Sequence, residues 1–81
     1  MKQDYTKLSK QLVDVLGGKD NISFFTHCTT RLRATLKDKN LVDSEKVKTI
    51  SGVLDCRWTG DQIQIIIGTH VPDVYDAICE Y

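Results

Sequence analysis

Residues 21–36, NISFFTHCTTRLRATL, decide the fold. Positions 22–26 are rich in aromatic and branched residues, and positions 31–36 alternate, with Leu32, Ala34 and Leu36 on one face. The pattern predicts two strands, the first ending near His27 and the second beginning near Arg31. Cys28 then lies at the hairpin turn rather than inside the sheet. Arg31 and Arg33 share the other face of the second strand, roughly 6.6 Å apart along it, so two guanidinium groups can converge on one small anion.

Upstream, Asp4 is the expected cap of a helix whose apolar residues Tyr5, Leu8, Leu12, Val15 and Leu16 recur at helical spacing until Gly17 and Gly18 stop it. Downstream, Asp43 caps a short helix carrying Val47 and Ile50, with Glu45 in the first turn, where the helix dipole favours negative charge. Ser51 and Gly52 end it. Residues 53–58 and 62–67 are expected strands around the turn Thr59, Gly60, Asp61, with Ile63, Ile65 and Ile67 inward. Pro72 suits the first position of a last helix, striped by Val74, Ala77, Ile78 and Tyr81. The expectation is an α+β fold in the order αββαββα, with three helices on one face of a four-stranded antiparallel sheet. Residues 1–81 form one domain.

Composition narrows the function. Eleven Lys plus Arg balance eleven Asp plus Glu, so no global field draws the chain to nucleic acid or an anionic membrane. No wider basic face or aromatic ladder accompanies Thr30, Arg31, Leu32 and Arg33, and nucleic-acid binding is not expected. The N-terminal stretch interrupts its apolar residues with charges, unlike a signal peptide, and no apolar run reaches transmembrane length. Three cysteines, at 28, 56 and 79, are odd in number and widely spaced, which suits free thiols in a reducing compartment. Adding His27 and His70 makes neither a CxxC nor a His-x3-His pair, so a metal site is not expected; no organic cofactor is expected either.

A thiol is a weak nucleophile until it loses its proton, and a nearby guanidinium favours the thiolate. The same setting suits a phosphorylated cysteine. Arginine offers forked donors to phosphate oxygens, turn amides form an anion-binding nest, and Thr29 and Thr30 add hydroxyl and amide donors. Phosphoryl transfer asks mainly for positioning and charge neutralisation.

These residues carry a family resemblance. The run NISFFTHCTTRLRATLKDK, with the later ISGVLDCRWTGDQIQIIIGTHVPDVY, closely resembles the IIB domain of the glucose and β-glucoside superfamily of bacterial phosphotransferase-system (PTS) sugar permeases. Asn21, Ile22, Cys28, Thr30, Arg31 and Leu32 fill that family's pattern. Members commonly have alanine where this chain has Thr29, and often a bulky apolar residue where it has Ala34.

The resemblance implies a component of a protein-phosphohistidine–sugar phosphotransferase. Cys28 accepts a phosphoryl group from phosphohistidine on a IIA domain and passes it to a sugar bound by a membrane IIC domain. Arg31 and Arg33 match the family's paired arginines, assigned here to phosphoryl stabilisation and to docking an acidic rim on the donor, with Thr29 and Thr30 as further phosphoryl or partner contacts. It further implies a place at the cytoplasmic face of a bacterial membrane when part of its permease; the domain itself is expected to be monomeric, and a start at Met1 suits the N-terminal part of a permease, a free-standing subunit or an excised domain reading identically. A noncatalytic regulatory module and a thiol switch using the same surface are the alternatives, though the switch lacks a nearby resolving cysteine.

The other conspicuous residues receive plainer readings. Cys56 and Cys79 fall in strand and helix patterns without an arginine pair and are expected to pack. His27, at a strand end, is expected to meet water or a backbone carbonyl, and Trp58 to be a packing or edge residue. Lys37, Asp38 and Lys39 read as a solvated loop. His70 follows the last strand, and nothing in the sequence places it near Cys28.

Overall fold

The computed structural model describes residues 5–80. The expected cap Asp4 and the stripe residue Tyr81 lie outside them. The elements are α1 (Thr6–Val15), β1 (Ile22–His27), β2 (Arg31–Leu36), α2 (Ser44–Lys48), β3 (Asp55–Thr59), β4 (Gln62–Ile66) and α3 (Val71–Glu80), with single 3-10 turns at Lys19–Asn21 and Lys39–Leu41. All strand pairs are antiparallel and the sheet runs β1-β2-β4-β3. This is the α+β order expected from the pattern.

One core joins the layers. Leu32, Ala34 and Leu36 of β2, Cys56 of β3 and Ile63 and Ile65 of β4 point into it, against Leu12, Val13 and Leu16 at α1, Val47 of α2 and Val71, Val74 and Ile78 of α3. The three helices thus cover one face. Alternate residues Arg31, Arg33, Thr35, Gln62, Gln64, Asp55, Arg57 and Thr59 lie on the other.

Local chemistry sets the element ends. Gly17 (φ 91°) follows the C-terminus of α1, where the N–H of Gly18 donates to Val13 O (2.9 Å) and that of Gly17 to Asp14 O (3.2 Å). This is a Schellman cap, which needs the left-handed conformation glycine adopts freely. Asp43 caps α2 as expected, its Oδ1 accepting from Glu45 N at 2.9 Å. Pro72 is the second helical residue of α3 rather than the first, a position whose N–H still has no intrahelical acceptor.

Several departures have physical causes. In β1 the register shifts between Ile22 and Phe24, leaving Ser23 extra. That bulge turns Phe24 outward, 60% exposed, and Phe25 inward, stacked on Tyr75 of α3 at 4.9 Å. Leu54 pairs through its N–H with Ile66 O, yet its side chain is 72% exposed at the start of the edge strand. Cys79, expected to pack, is exposed because it sits one residue beyond the Val71, Val74, Ile78 stripe. Trp58 packs against the core from edge strand β3, with Lys39 Nζ 5.2 Å from its ring centroid.

Candidate functional site

Cys28 occupies the turn between β1 and β2, where its N–H donates to Arg31 O at 2.9 Å and closes the hairpin. The side chain is half-buried and the thiol free. Two opposing influences act on it. Desolvation raises its pKa, but hydrogen bonds from the Thr30 N–H, the Arg33 guanidinium and the Arg31 N–H, with the positive charge of Arg33, outweigh it. The thiol therefore ionises below its ordinary value of 9.0. Backbone donors and a fixed cation converging on one sulfur also form the kind of nest that holds an anion.

The two arginines act differently. Arg33 stands opposite Thr26 of β1 and Gln64 of β4, and its Nε is buried without a hydrogen-bond partner, so packing rather than an acceptor holds that end of the group. Arg31 brings its main-chain N–H to the sulfur, whereas its Nη1 donates to Gln64 Oε1 at 2.9 Å. Gln64 is in turn held by donation from its own Nε2 to Gln62 Oε1 at 3.1 Å. Thr30 supplies an N–H to the sulfur, and Thr29 is exposed at the tip.

Residues behind the turn hold it in place. His27 faces inward, its ring 4.6 Å from that of Tyr75, and Nδ1 lies 3.0 Å from Cys28 O. A carbonyl only accepts, so Nδ1 carries the proton. His27 thus meets a backbone carbonyl, as expected of a strand-end histidine. The loop from β4 to α3 also abuts the turn, since Ile67 and Gly68 both donate N–H groups to Thr30 O, at 2.9 and 3.0 Å. His70 belongs to this loop and stacks on Tyr5, with centroids 5.7 Å apart.

Gln64 and the Ile67–Gly68 amides carry no sequence signal of their own. The alternation Gln62, Gln64 predicts a shared face on β4, but only the β2–β4 pairing places it beneath the arginines. Among the described residues, no group of three His, Cys, Asp or Glu side chains gathers to hold a metal ion. None of the described helices is long and apolar enough to cross a membrane.

The site is thus a free thiol at a hairpin turn, among backbone amides and arginine, in a small antiparallel α+β domain. The family described as phosphotransferase system, EIIB, matches residues 10–43. The chain is 42% identical over 78 residues to the PTS system beta-glucoside-specific EIIBCA component of Bacillus subtilis (strain 168), covering 96% of this chain and 13% of that protein. It is 43% identical over 75 residues to the sucrose-specific EIIBC component of the same organism, covering 91% of this chain and 16% of the relative. The crystal structure of one domain of the PTS system IIabc component from Clostridium difficile superposes with a TM-score of 0.83 at 37% identity, over 94% of this chain and 79% of that one. The chain belongs to the phosphotransferase system EIIB family. It spans only about an eighth to a sixth of the length of these curated relatives.

Proposed function

We propose that the domain carries a phosphoryl group on Cys28 between a phosphohistidine of a IIA domain and a sugar bound by a membrane IIC domain. The carrying observation is the convergence of the Thr30 and Arg31 amides and the Arg33 guanidinium on a thiol whose ionisation they favour. The thiolate attacks phosphorus, an S–P bond forms, the N–P bond breaks, and the imidazole leaves with the electron pair. In the second step a sugar hydroxyl attacks the same phosphorus and the S–P bond breaks. The thiolate returns, and the hydroxyl proton passes to a base on the acceptor side or to solvent.

The chain's own residues neutralise charge and position the group. A thiolate needs no general base, which leaves His27 free for its structural contacts. Amides and guanidinium that stabilise the thiolate are equally suited to phosphoryl oxygens. The partners are a IIA donor and a IIC acceptor, and the domain works as a monomer at the cytoplasmic face of the membrane. The EIIBCA and EIIBC compositions in the relatives' names support this pairing. One of these relatives is beta-glucoside-specific and the other sucrose-specific, at nearly equal identity, so this domain's resemblance does not choose the sugar.

The test is intact mass after incubation with phosphoenolpyruvate, the two general phosphotransferase proteins and a matching IIA, beside Cys28→Ser. The expected result is one added phosphoryl group mapped to Cys28 and absent from the variant. No transfer from several competent donors would overturn the reading in favour of a regulatory module.

A further inference from the structure

The carbonyl of Thr30 accepts two N–H groups, from Ile67 at 2.9 Å and Gly68 at 3.0 Å, using both of its lone pairs. That carbonyl and the N–H of Arg31 belong to one planar peptide, in which they point in opposite directions. Donors on the oxygen draw electron density from the peptide, which makes the N–H at its other end a stronger donor. Arg31 is held against Cys28 by the Cys28 N–H, which donates to Arg31 O at 2.9 Å, and the Arg31 N–H is one of the groups that favour the Cys28 thiolate. A continuous path therefore runs from the β4–α3 loop, through one peptide, to the thiol.

Gly68 holds its end of this path by an unusual backbone. Its φ is 115°, a conformation that L side chains rarely adopt. Space is not the constraint, because a Cβ added there would meet the His70 ring at ordinary contact distances, Cε1 at 3.7 Å and Nδ1 at 3.9 Å. Chain direction is: β4 ends at Ile66 opposite Arg31, and the chain must turn at once so that two successive amides reach the same oxygen.

We infer that Gly68 is a positioning residue for the Cys28 site: its N–H, with that of Ile67, orients and polarises the Thr30–Arg31 peptide that faces the sulfur. The consequence for phosphoryl transfer rests on the proposed function, whereas the effect on the thiol does not. Titratable and charged groups near this path are His27 on β1, Arg31 and Arg33 on β2, His70 in the loop after β4, and Asp73 and Tyr75 on α3. They are unchanged in every variant below, so a difference between variants reports the amide.

The experiment measures the rate of Cys28 alkylation by iodoacetamide against pH in the full chain, located by peptide mapping, with a melting curve for each protein. Gly68→Ala strains the backbone, and an ester in place of the Ile67–Gly68 peptide bond, introduced by ligation at Cys56, replaces the Gly68 N–H by an oxygen and leaves every side chain unchanged. Gly52→Ala is the control, because Gly52 also has a positive φ (104°) and a Cβ there would meet Leu8 rather than the thiol turn. Both changes at Gly68 are expected to move the profile to higher pH and slow alkylation at pH 7 about threefold. Gly52→Ala lowers the melting temperature and leaves the profile in place. If Gly68→Ala fails to fold, the ester alone decides. An ester profile superimposable on the unmodified chain, or an equal shift in Gly52→Ala, overturns the inference. Phosphorylation by IIA is then scored separately, so a chain that carries no phosphate can still pass or fail on its thiol.

Discussion

Arg33 and Arg31, two residues apart on one face of β2, do different work, and the difference is testable at single side chains. Arg33 reaches the sulfur through its guanidinium, by hydrogen bond and by charge. Arg31 reaches it through a main-chain N–H that a substitution leaves in place, while its guanidinium is engaged by Gln64. Arg33→Ala is therefore expected to raise the pKa of Cys28 and shift alkylation to higher pH, and Arg31→Ala to shift it much less. Thiol alkylation across pH 6 to 10 checks this, and equal shifts in the two variants would refute the division of labour. If the proposed function holds, Arg31→Ala slows transfer from IIA mainly at the docking step, read as a higher KM for the donor. At this scale the sequence already marked Cys28 as a turn thiol beside two arginines. It did not mark which arginine meets the sulfur, because that depends on Gln64, supplied by a strand 33 positions away in the chain.

Between elements, Asn21 ties the end of α1 to the loop after β2. Its Nδ2 donates to Leu16 O at 2.8 Å and Asp38 O at 3.0 Å, its Oδ1 accepts from Asp38 N at 2.9 Å, and its carbonyl accepts from Lys37 N at 2.8 Å. It is only 6% exposed. Asn21→Ala leaves three main-chain groups short of a partner, and a loss of about 3 kcal/mol is expected in urea unfolding, with an unchanged m-value. A loss below about 1 kcal/mol would mean that water replaces the amide. The sequence pattern placed Asn21 in a motif without revealing that it is a buried hub, since hydrophobic periodicity counts only apolar positions. Ser9 escaped for the same reason: it is 1% exposed, inside α1, and its hydroxyl donates to Tyr5 O at 2.7 Å. Caps and alternation, by contrast, are local signals, and Asp43, the Gly17–Gly18 stop and the Leu32, Ala34, Leu36 face all stand where local chemistry put them.

Across the whole molecule, the response of stability to alkali depends on thiols that pull in opposite directions. Cys28 ionises more readily in the folded chain, so it contributes stability above the ordinary thiol value of 9.0, which is lost as pH falls through its lowered pKa. Cys56 behaves oppositely. Desolvation raises its pKa, Lys48 partly counters this, and Asp55 and Glu45 add to the rise. Its contribution is complete below 9.0 and is lost as pH climbs through the raised value, because the thiolate is tolerated better in the unfolded chain. The core position accounts for this: Cys56 is 7% exposed on the inward face of β3, and its Sγ donates to Ser44 O at 3.6 Å. A Cys56→Ala variant is expected to lose about 1–2 kcal/mol at pH 7 through the cavity left behind. It should also decline less steeply than the unmodified chain above pH 9. Tyr75, whose pKa is raised chiefly by the neighbouring Cys79, contributes an alkaline decline common to both proteins, so the difference between their curves isolates Cys56. Urea midpoints from pH 7 to 11 make the measurement, with converging curves expected. Parallel curves would mean that the Cys56 thiolate is as well accommodated in the core as in the unfolded chain.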